Sequence, residues 1–282
     1  MDWLSHNKIP LGLWIKNLVD LLNQHAQGFF NLVSLVLGTA VNSVTAALLW
    51  LPSLVVIALA AALALLVHRS WRLALLVVIG LLLIINLGYW KETMQTLSLV
   101  LWAATFSMLV GVPVGIAAAH RPRLYAVLRP LLDLMQTIPT FVYLIPTLIL
   151  FGLGVVPGLI STIVFAIPAP IRLTYLGISR VPRQLIEAGE AFGASRRQIL
   201  RKVELPYAMP TIMAGLTQCI MLSLSMVVIT ALVGAEGLGT PVVRALNTVN
   251  VARGFESGLA IVLLAIMLDR LCRRPGETEH GA

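Results

Sequence analysis

Charge is what this chain has least of. Only 11% of its 282 residues are charged, 12 Asp and Glu against 20 Lys and Arg. A soluble domain carries about a quarter charged residues, so the scarcity argues against a solvated globule. Hydrophobic residues make up 59% of the chain, and the mean hydropathy is +0.92. That balance belongs to a polytopic membrane protein. Cysteine is also scarce: Cys219 falls in an apolar run and Cys272 in a basic tail, so no disulfide framework is expected. No Gly-Lys pair occurs anywhere, which excludes a GxxxxGK[ST] phosphate loop. The N-terminus has no basic stretch leading into an apolar run, so no cleavable signal peptide is expected. The isoelectric point is near 10.1, yet the cations form short clusters between apolar runs and no continuous stripe. Nucleic acid is therefore not an expected partner, whereas the lipid bilayer is.

What is present is a series of apolar runs near the roughly 20 residues that cross a bilayer. Seven read as spans: 52–67, 72–88, 95–119, 131–152, 157–178, 208–233 and 255–271. The fold class is all-α, with six to eight spans. Residues 11–25 carry Leu11, Trp14, Leu18 and Leu21 at helical spacing. The 1–50 region is expected to be mainly an interfacial amphipathic helix, with 30–50 as an alternative eighth span. Lys and Arg mark the cytoplasmic side. Seven spans with the N-terminus outside leave only Lys8, Lys16, Lys91, Arg244 and Arg253 outside, so fifteen of the twenty cations are cytoplasmic. The 180–206 loop and the C-terminus are then cytoplasmic too.

That loop is the most informative stretch. Residues 187–206 read EAGEAFGASRRQILRKVELP, polar and charged in an otherwise apolar chain. Val181-Pro182 ends the preceding helix. Residues 183–192 form a short amphipathic helix with Leu185, Ala188 and Phe192 near one face. Gly193 permits φ > 0, and Ser195 is placed to cap a second helix, 195–204, which Pro206 is expected to end. Two short helices about a glycine turn make a rigid knob on which a partner can push.

The register Glu187-Ala188, Gly193, Val203-x-Leu205-Pro206 resembles the EAA loop of ABC-importer permeases. Residues 129–154, RPLLDLMQTIPTFVYLIPTLILFGLG, and 208–239, AMPTIMAGLTQCIMLSLSMVVITALVGAEGLG, are similar to permeases of the glycine betaine/proline/choline importers. Residues 161–176 and the string Ala188-Gly189-Glu190-Ala191-Phe192-Gly193 sit nearest the choline-specific branch. Gly189 departs from the pattern, where the family has a second Ala.

The resemblance implies a type I importer permease core over 90–271, preceded by two accessory spans in 51–89 and followed by a cytoplasmic tail, 272–282. It implies three partners: a cytoplasmic ATP-binding subunit, a periplasmic substrate-binding protein and a second copy of this chain. The chain itself is then no enzyme, and no cofactor or metal is expected. ATPase coupling would rest on Pro182, Glu187, Ala188, Gly193, Ala194, Ser195, Leu205 and Pro206. The location implied is the bacterial inner membrane, and an osmoprotective role fits the family.

Two segments are candidates for the solute path. Thr211, Gly215, Gln218, Leu222 and Ser225 share one helical face, a small and polar stripe that can line a pore or pack helices. Met135, Gln136, Pro139, Phe141 and Tyr143 lie where Pro139 and Pro146 can bend a helix. The Gly111-x-x-x-Gly115 pair reads as close helix packing. The glycine-rich turn around Glu236, with Arg244 and Arg253, is an expected contact for the binding protein. Proton-coupled carriers place acids within spans, and here only Asp133 approaches that position. A gradient-driven carrier of the same solutes is thus the alternative. A membrane enzyme lacks any metal cluster or Ser–His pairing in this sequence.

Overall fold

The structure, a computed structural model, describes residues 11–273, so Lys8 and Arg274 lie outside the described residues. All of its regular elements are helical. In chain order they are α1 (Leu11–Trp50), α2 (Ser53–His68), α3 (Trp71–Asn86), α4 (Trp90–His120), α5 (Pro122–Thr137), α6 (Thr140–Phe151), α7 (Val155–Ala166), α8 (Pro168–Ser179), α9 (Arg183–Ala191), α10 (Arg196–Ile199), α11 (Leu205–Thr230), α12 (Gly239–Asn247) and α13 (Val251–Cys272). Five helical stretches are long and apolar enough to cross a membrane, or up to six with the bent α5–α6 pair, while α2 and α3 are shorter apolar helices. Large apolar side chains such as Leu54, Leu59, Leu66, Trp71 and Ile79 stand exposed on α2 and α3. A surface that apolar suits lipid rather than water.

The packing centre is α8, held between α4 and α11. Small residues make the approach possible. A Cβ on Gly115 would sit 2.6 Å from Thr174 Cβ, and one on Gly111 would sit 2.9 Å from Pro170 Cγ. On the other side, a Cβ on Gly177 would meet Ala208 Cβ at 3.0 Å, and one on Gly215 would meet Pro170 Cα at 3.3 Å. Without a hydrophobic drive between helices in lipid, such close backbone approach is what holds them together. A second cluster joins α2 and α3 to α4, α11 and α13 through Val77, Ile84, Val100, Leu224 and Leu264. At one end of this cluster, His68 Nε2 lies 2.9 Å from the carbonyl of Leu271, tying the end of α2 to the end of α13.

One expectation is met and two change. The bend expected at Pro139 is present: the helix breaks at Ile138-Pro139 and α6 turns 95° from α5. Proline bars helical φ/ψ at the residue before it, and Ile138 is accordingly extended, φ −63°, ψ 129°. Pro146, by contrast, runs inside α6 without ending it. Pro206 does not end the second loop helix either, for the helical stretch is continuous from Arg196 to Val233. Residues 200–204 widen into a π-turn in which Leu205 N–H reaches back to Leu200 O. The wider turn accommodates a residue with no N–H of its own.

Helix α1 is longer than the amphipathic segment expected from sequence. It runs 40 residues with a local departure from helical φ/ψ at Ala26 and packs on α4 and α6. Val41 is buried there, and Trp102 Nε1 donates to Ala40 O at 3.1 Å.

Candidate functional site: the 180–206 loop

Pro182, extended at φ −59° and ψ 132°, starts α9. The helix then closes with a full set of terminal bonds. Gly193 N–H donates to Glu190 O at 2.9 Å and Ala194 N–H to Glycine 189's carbonyl at 3.0 Å. This is a Schellman termination, which places its C′ residue in the left-handed region. That residue is Gly193, at φ +73°. Ser195 follows as N-cap of α10, with its N–H on Gln198 Oε1 at 2.7 Å and its hydroxyl on the same oxygen at 2.9 Å. Ile199 is buried and lies where a Cβ on Gly189 would be 3.4 Å from its Cγ1. Ile199 thus locks the two short helices together, a role not assigned from sequence because the Ile199-Leu200 pair, flanked by charged and amide residues, is too short to give a periodic signal.

The outer face of this knob is uncovered. α9 has no buried residue; Ala188 is exposed, Leu185 is 45% exposed and Phe192 is 91% exposed. Glu187 is exposed as well. These residues occupy one short, hydrogen-bonded element between two long helices. Phe192 was placed on the apolar face from sequence but not among the coupling residues, and its exposure singles it out. At 91% its ring is the most exposed large apolar side chain among the described residues.

The base of the knob is clasped to the bundle. Glu204 is only 6% exposed, and both of its carboxylate oxygens face His120 Nε2, at 3.0 and 3.1 Å. His120 ends α4 and also turns Nδ1 to Ile116 O at 3.0 Å. Leu205 and Pro206 lie just beyond, at the start of α11. The structure therefore separates the candidate residues into a tip (Pro182 to Ser195) and a root (Leu205 and Pro206), the root lying on the continuous helix that begins at Arg196, just after the tip.

The two candidate path segments lie on separate elements, with α6 touching α11. On α11, Gln218 and Ser225 are exposed while Gly215 is buried against α8 and Thr211 is half-buried. The stripe is thus partly packing surface and partly open face. At the α5–α6 bend, Phe141 is exposed, whereas Gln136 and Met135 are half-buried and Pro139 is exposed. Tyr143 turns its hydroxyl onto the Met135 carbonyl, and Thr147 and Ser161 share a 2.8 Å hydrogen bond beneath it. The freed backbone oxygen at the bend is therefore satisfied by the chain itself, as a non-helical turn away from water requires. Asp133 pairs with Arg172 at 2.6 Å, joining α5 to α8.

Comparison with known proteins agrees with this architecture. The solved structure of the MetNI methionine ABC transporter in inward-facing conformations superposes with a TM-score of 0.55 at 26% identity, over 61% of this chain and 88% of that one. The glycine betaine transport system permease protein OpuAB of Bacillus subtilis (strain 168) is 47% identical over 264 residues, 94% of this chain and 93% of its own. The choline transport system permease protein OpuBD of the same organism is 36% identical over 57% of this chain and 69% of its own. Nothing in these relationships supports the gradient-driven carrier. Residues 111–272 match the family of binding-protein-dependent transport system inner membrane components, and the chain belongs to that family.

Proposed function

We propose that this chain forms the membrane path of an ATP-driven importer for a quaternary ammonium solute. Glycine betaine stands ahead of choline, because the relative named for glycine betaine is the more similar of the two over far more of the chain. The observation that carries the reading is the uncovered apolar tip of the 180–206 loop, Leu185, Ala188 and Phe192, on a knob rooted directly in α11. A separate ATP-binding subunit docks there, two copies of this chain enclose the path, and a binding protein delivers solute from the far side. Closure of the ATPases displaces the knob and, through α11, turns the cavity between the two sides by alternating access. Glu187, Ala188, Gly193, Ala194 and Ser195 shape the docking tip, Pro182 sets its entry angle, and Leu205 and Pro206 carry the displacement into the bundle. Met135, Gln136, Pro139, Phe141, Thr211, Gln218 and Ser225 border the path; Tyr143 braces its bend.

We further place α1 across the inner membrane, which makes eight crossings with both termini in the cytoplasm. Its 41–45 end lies with Gly154, Gly234 and Glu236, while its 12–20 end lies with Val142 and Ile149 on α6. A 40-residue helix packed along α4 and α6 is long enough to cross a bilayer and differs from the interfacial placement expected from sequence. It also moves Lys16 to the cytoplasmic side, as the distribution of cations favours.

The test is Phe192→Asp, assayed with the ATP-binding subunit and binding protein encoded beside it. Membrane insertion should match the parent chain. Capture of the ATP-binding subunit and ATP-dependent glycine betaine uptake should both be lost. Uptake that persists without the ATP-binding subunit, and collapses with an uncoupler, would defeat the importer reading.

A further inference from the structure

At the end of α11 remote from the 180–206 loop, α1, α4, the start of α7 and the 234–237 turn enclose a cavity of about 350 Å³. That size falls within the roughly 300–1,000 Å³ range of small-molecule pockets. Its polar lining is Asn42, Thr45, Gln95 and Glu236, with Gly154 and Gly234 leaving backbone bare at the wall. No Lys, Arg or His is among the lining residues.

Glu236 carries the one charged side chain of the lining, beside the Asn42 and Gln95 amides, which offer donors as well as acceptors. A carboxylate only accepts. One oxygen of Glu236 takes the Gln95 amide N–H, and the other has no partner among the described residues. The Thr45 hydroxyl gives its proton to Val41 O at 3.0 Å, so its lone pairs are what it can offer the cavity. The Gln95 amide, oriented by Glu236, keeps its carbonyl oxygen free.

The turn that carries this exposed carboxylate is held to the bundle through its backbone. Gly154 N–H donates to Val233 O at 2.9 Å, and Leu238 N–H donates to Thr96 Oγ1 at 2.9 Å. Gly237, at φ +141°, lies so close to α4 that a Cβ there would stand 2.6 Å from Thr96 Oγ1. A carboxylate with one oxygen free, in a lining that holds no cation, is complementary to a positive ligand.

We propose that this cavity binds the cationic head of a small organic solute. The volume is too large for a bare metal ion. No aromatic ring lines it, so the cation–π contribution that gives quaternary ammonium sites their strength is missing. Binding is therefore weak and suits a station that solute enters and leaves. The site deepens the importer reading, on which the identity of the solute rests, but its occupancy requires no ATP. Glu236 was read from sequence as a contact for the binding protein; its tie to Gln95 and its place in the cavity wall assign it to solute.

The experiment is calorimetric titration of the full chain in nanodiscs of zwitterionic lipid. The probes are choline and 3,3-dimethyl-1-butanol, its uncharged carbon analogue. Choline should bind saturably and the analogue should not compete. Glu236→Gln, whose amide oxygen can still accept from Gln95, should weaken choline about tenfold or more, a loss readily read from Kd. Thr45→Val should weaken it less, and Arg244→Ala not at all. Equal choline affinity in Glu236→Gln, effective competition by the neutral analogue, or no saturable binding to the parent chain would each overturn the site. If Glu236→Gln abolishes capture of the binding protein while choline affinity is unchanged, the carboxylate serves a protein contact and the proposal fails. If choline binds as expected but ATP-dependent uptake never appears, the importer reading fails and the site stands.

Discussion

Replacing Gly193 separates two reasons a glycine can be needed. Its φ of +73° lies in the left-handed region, where an L-residue with a Cβ costs about 1–2 kcal/mol and Asn much less. No heavy atom outside its own chain neighbours lies within 4 Å of a Cβ built there, so the chain itself offers no clash. Gly193→Ala therefore carries only the backbone penalty. The Schellman bonds of Gly193 and Ala194 and the Ile199 contact are what hold the tip, so the penalty falls on the tip alone. A loss of about 1–2 kcal/mol shifts the ordered-to-frayed ratio of the tip by a factor of about 5–30. The assay is ATP-dependent glycine betaine uptake in proteoliposomes containing the complete transporter, with membrane protein quantified alongside. Gly193→Ala should cut uptake several-fold at unchanged protein level, and Gly193→Asn should recover most of it. If Asn fails as badly as Ala, backbone conformation is not the reason for glycine and close approach of the partner subunit is. Normal uptake by both would remove the turn from the coupling mechanism altogether.

Three further outcomes follow from the same geometry. Gly189→Ala should raise thermal stability of the purified chain, since Ala gains about 1 kcal/mol of helix propensity over Gly and its Cβ fits 3.4 Å from Ile199; a fall in Tm would show that the α9–α10 contact tolerates no methyl group. Gly115→Leu should deplete the protein from membranes, because its Cβ alone would meet Thr174 Cβ at 2.6 Å and overpacking costs about 1–3 kcal/mol or more; normal abundance on immunoblots would contradict the α4–α8 contact. His120→Ala leaves the buried Glu204 carboxylate unpaired, a loss on the order of 1–3 kcal/mol. Adding Glu204→Gln to it should restore part of the Tm, and a double variant less stable than the single would argue against the clasp.

How much of this was legible depended on whether a residue's role is local. Gly193 was legible because a positive φ selects glycine whatever surrounds it, and Ser195 because a cap acts within three residues. The Gly111/Gly115 pair announced close packing by its spacing, although only the structure shows that Pro170 and Thr174 fill the gap. Pro206 misled: proline commonly stops a helix, but the π-turn at 200–204 lets the helix pass through it. Pro139 marked the 131–152 run as a place where the helix can bend, but neither proline spacing nor hydropathy says that the turn at Ile138 reaches 95° or that Pro146 leaves its helix intact. Phe192 and Ile199 are both large apolar residues in a mainly polar loop. One is exposed and the other buried, and no pattern distinguishes them until the two helices are folded against each other.

Under the proposed coupling, the unbroken rod from Arg196 to Val233 acts as a seesaw. Its fulcrum is Gly215, pressed on Pro170 and Leu173 of α8, and it stands almost halfway along. At 1.5 Å per residue the arm from Ile199 to Gly215 is about 24 Å and the arm from Gly215 to Val233 about 27 Å. A rocking of about 10° then carries each tip by roughly 4–5 Å, in opposite senses. Opening at one face of the membrane and narrowing at the other become a single movement, with no signal to relay between them.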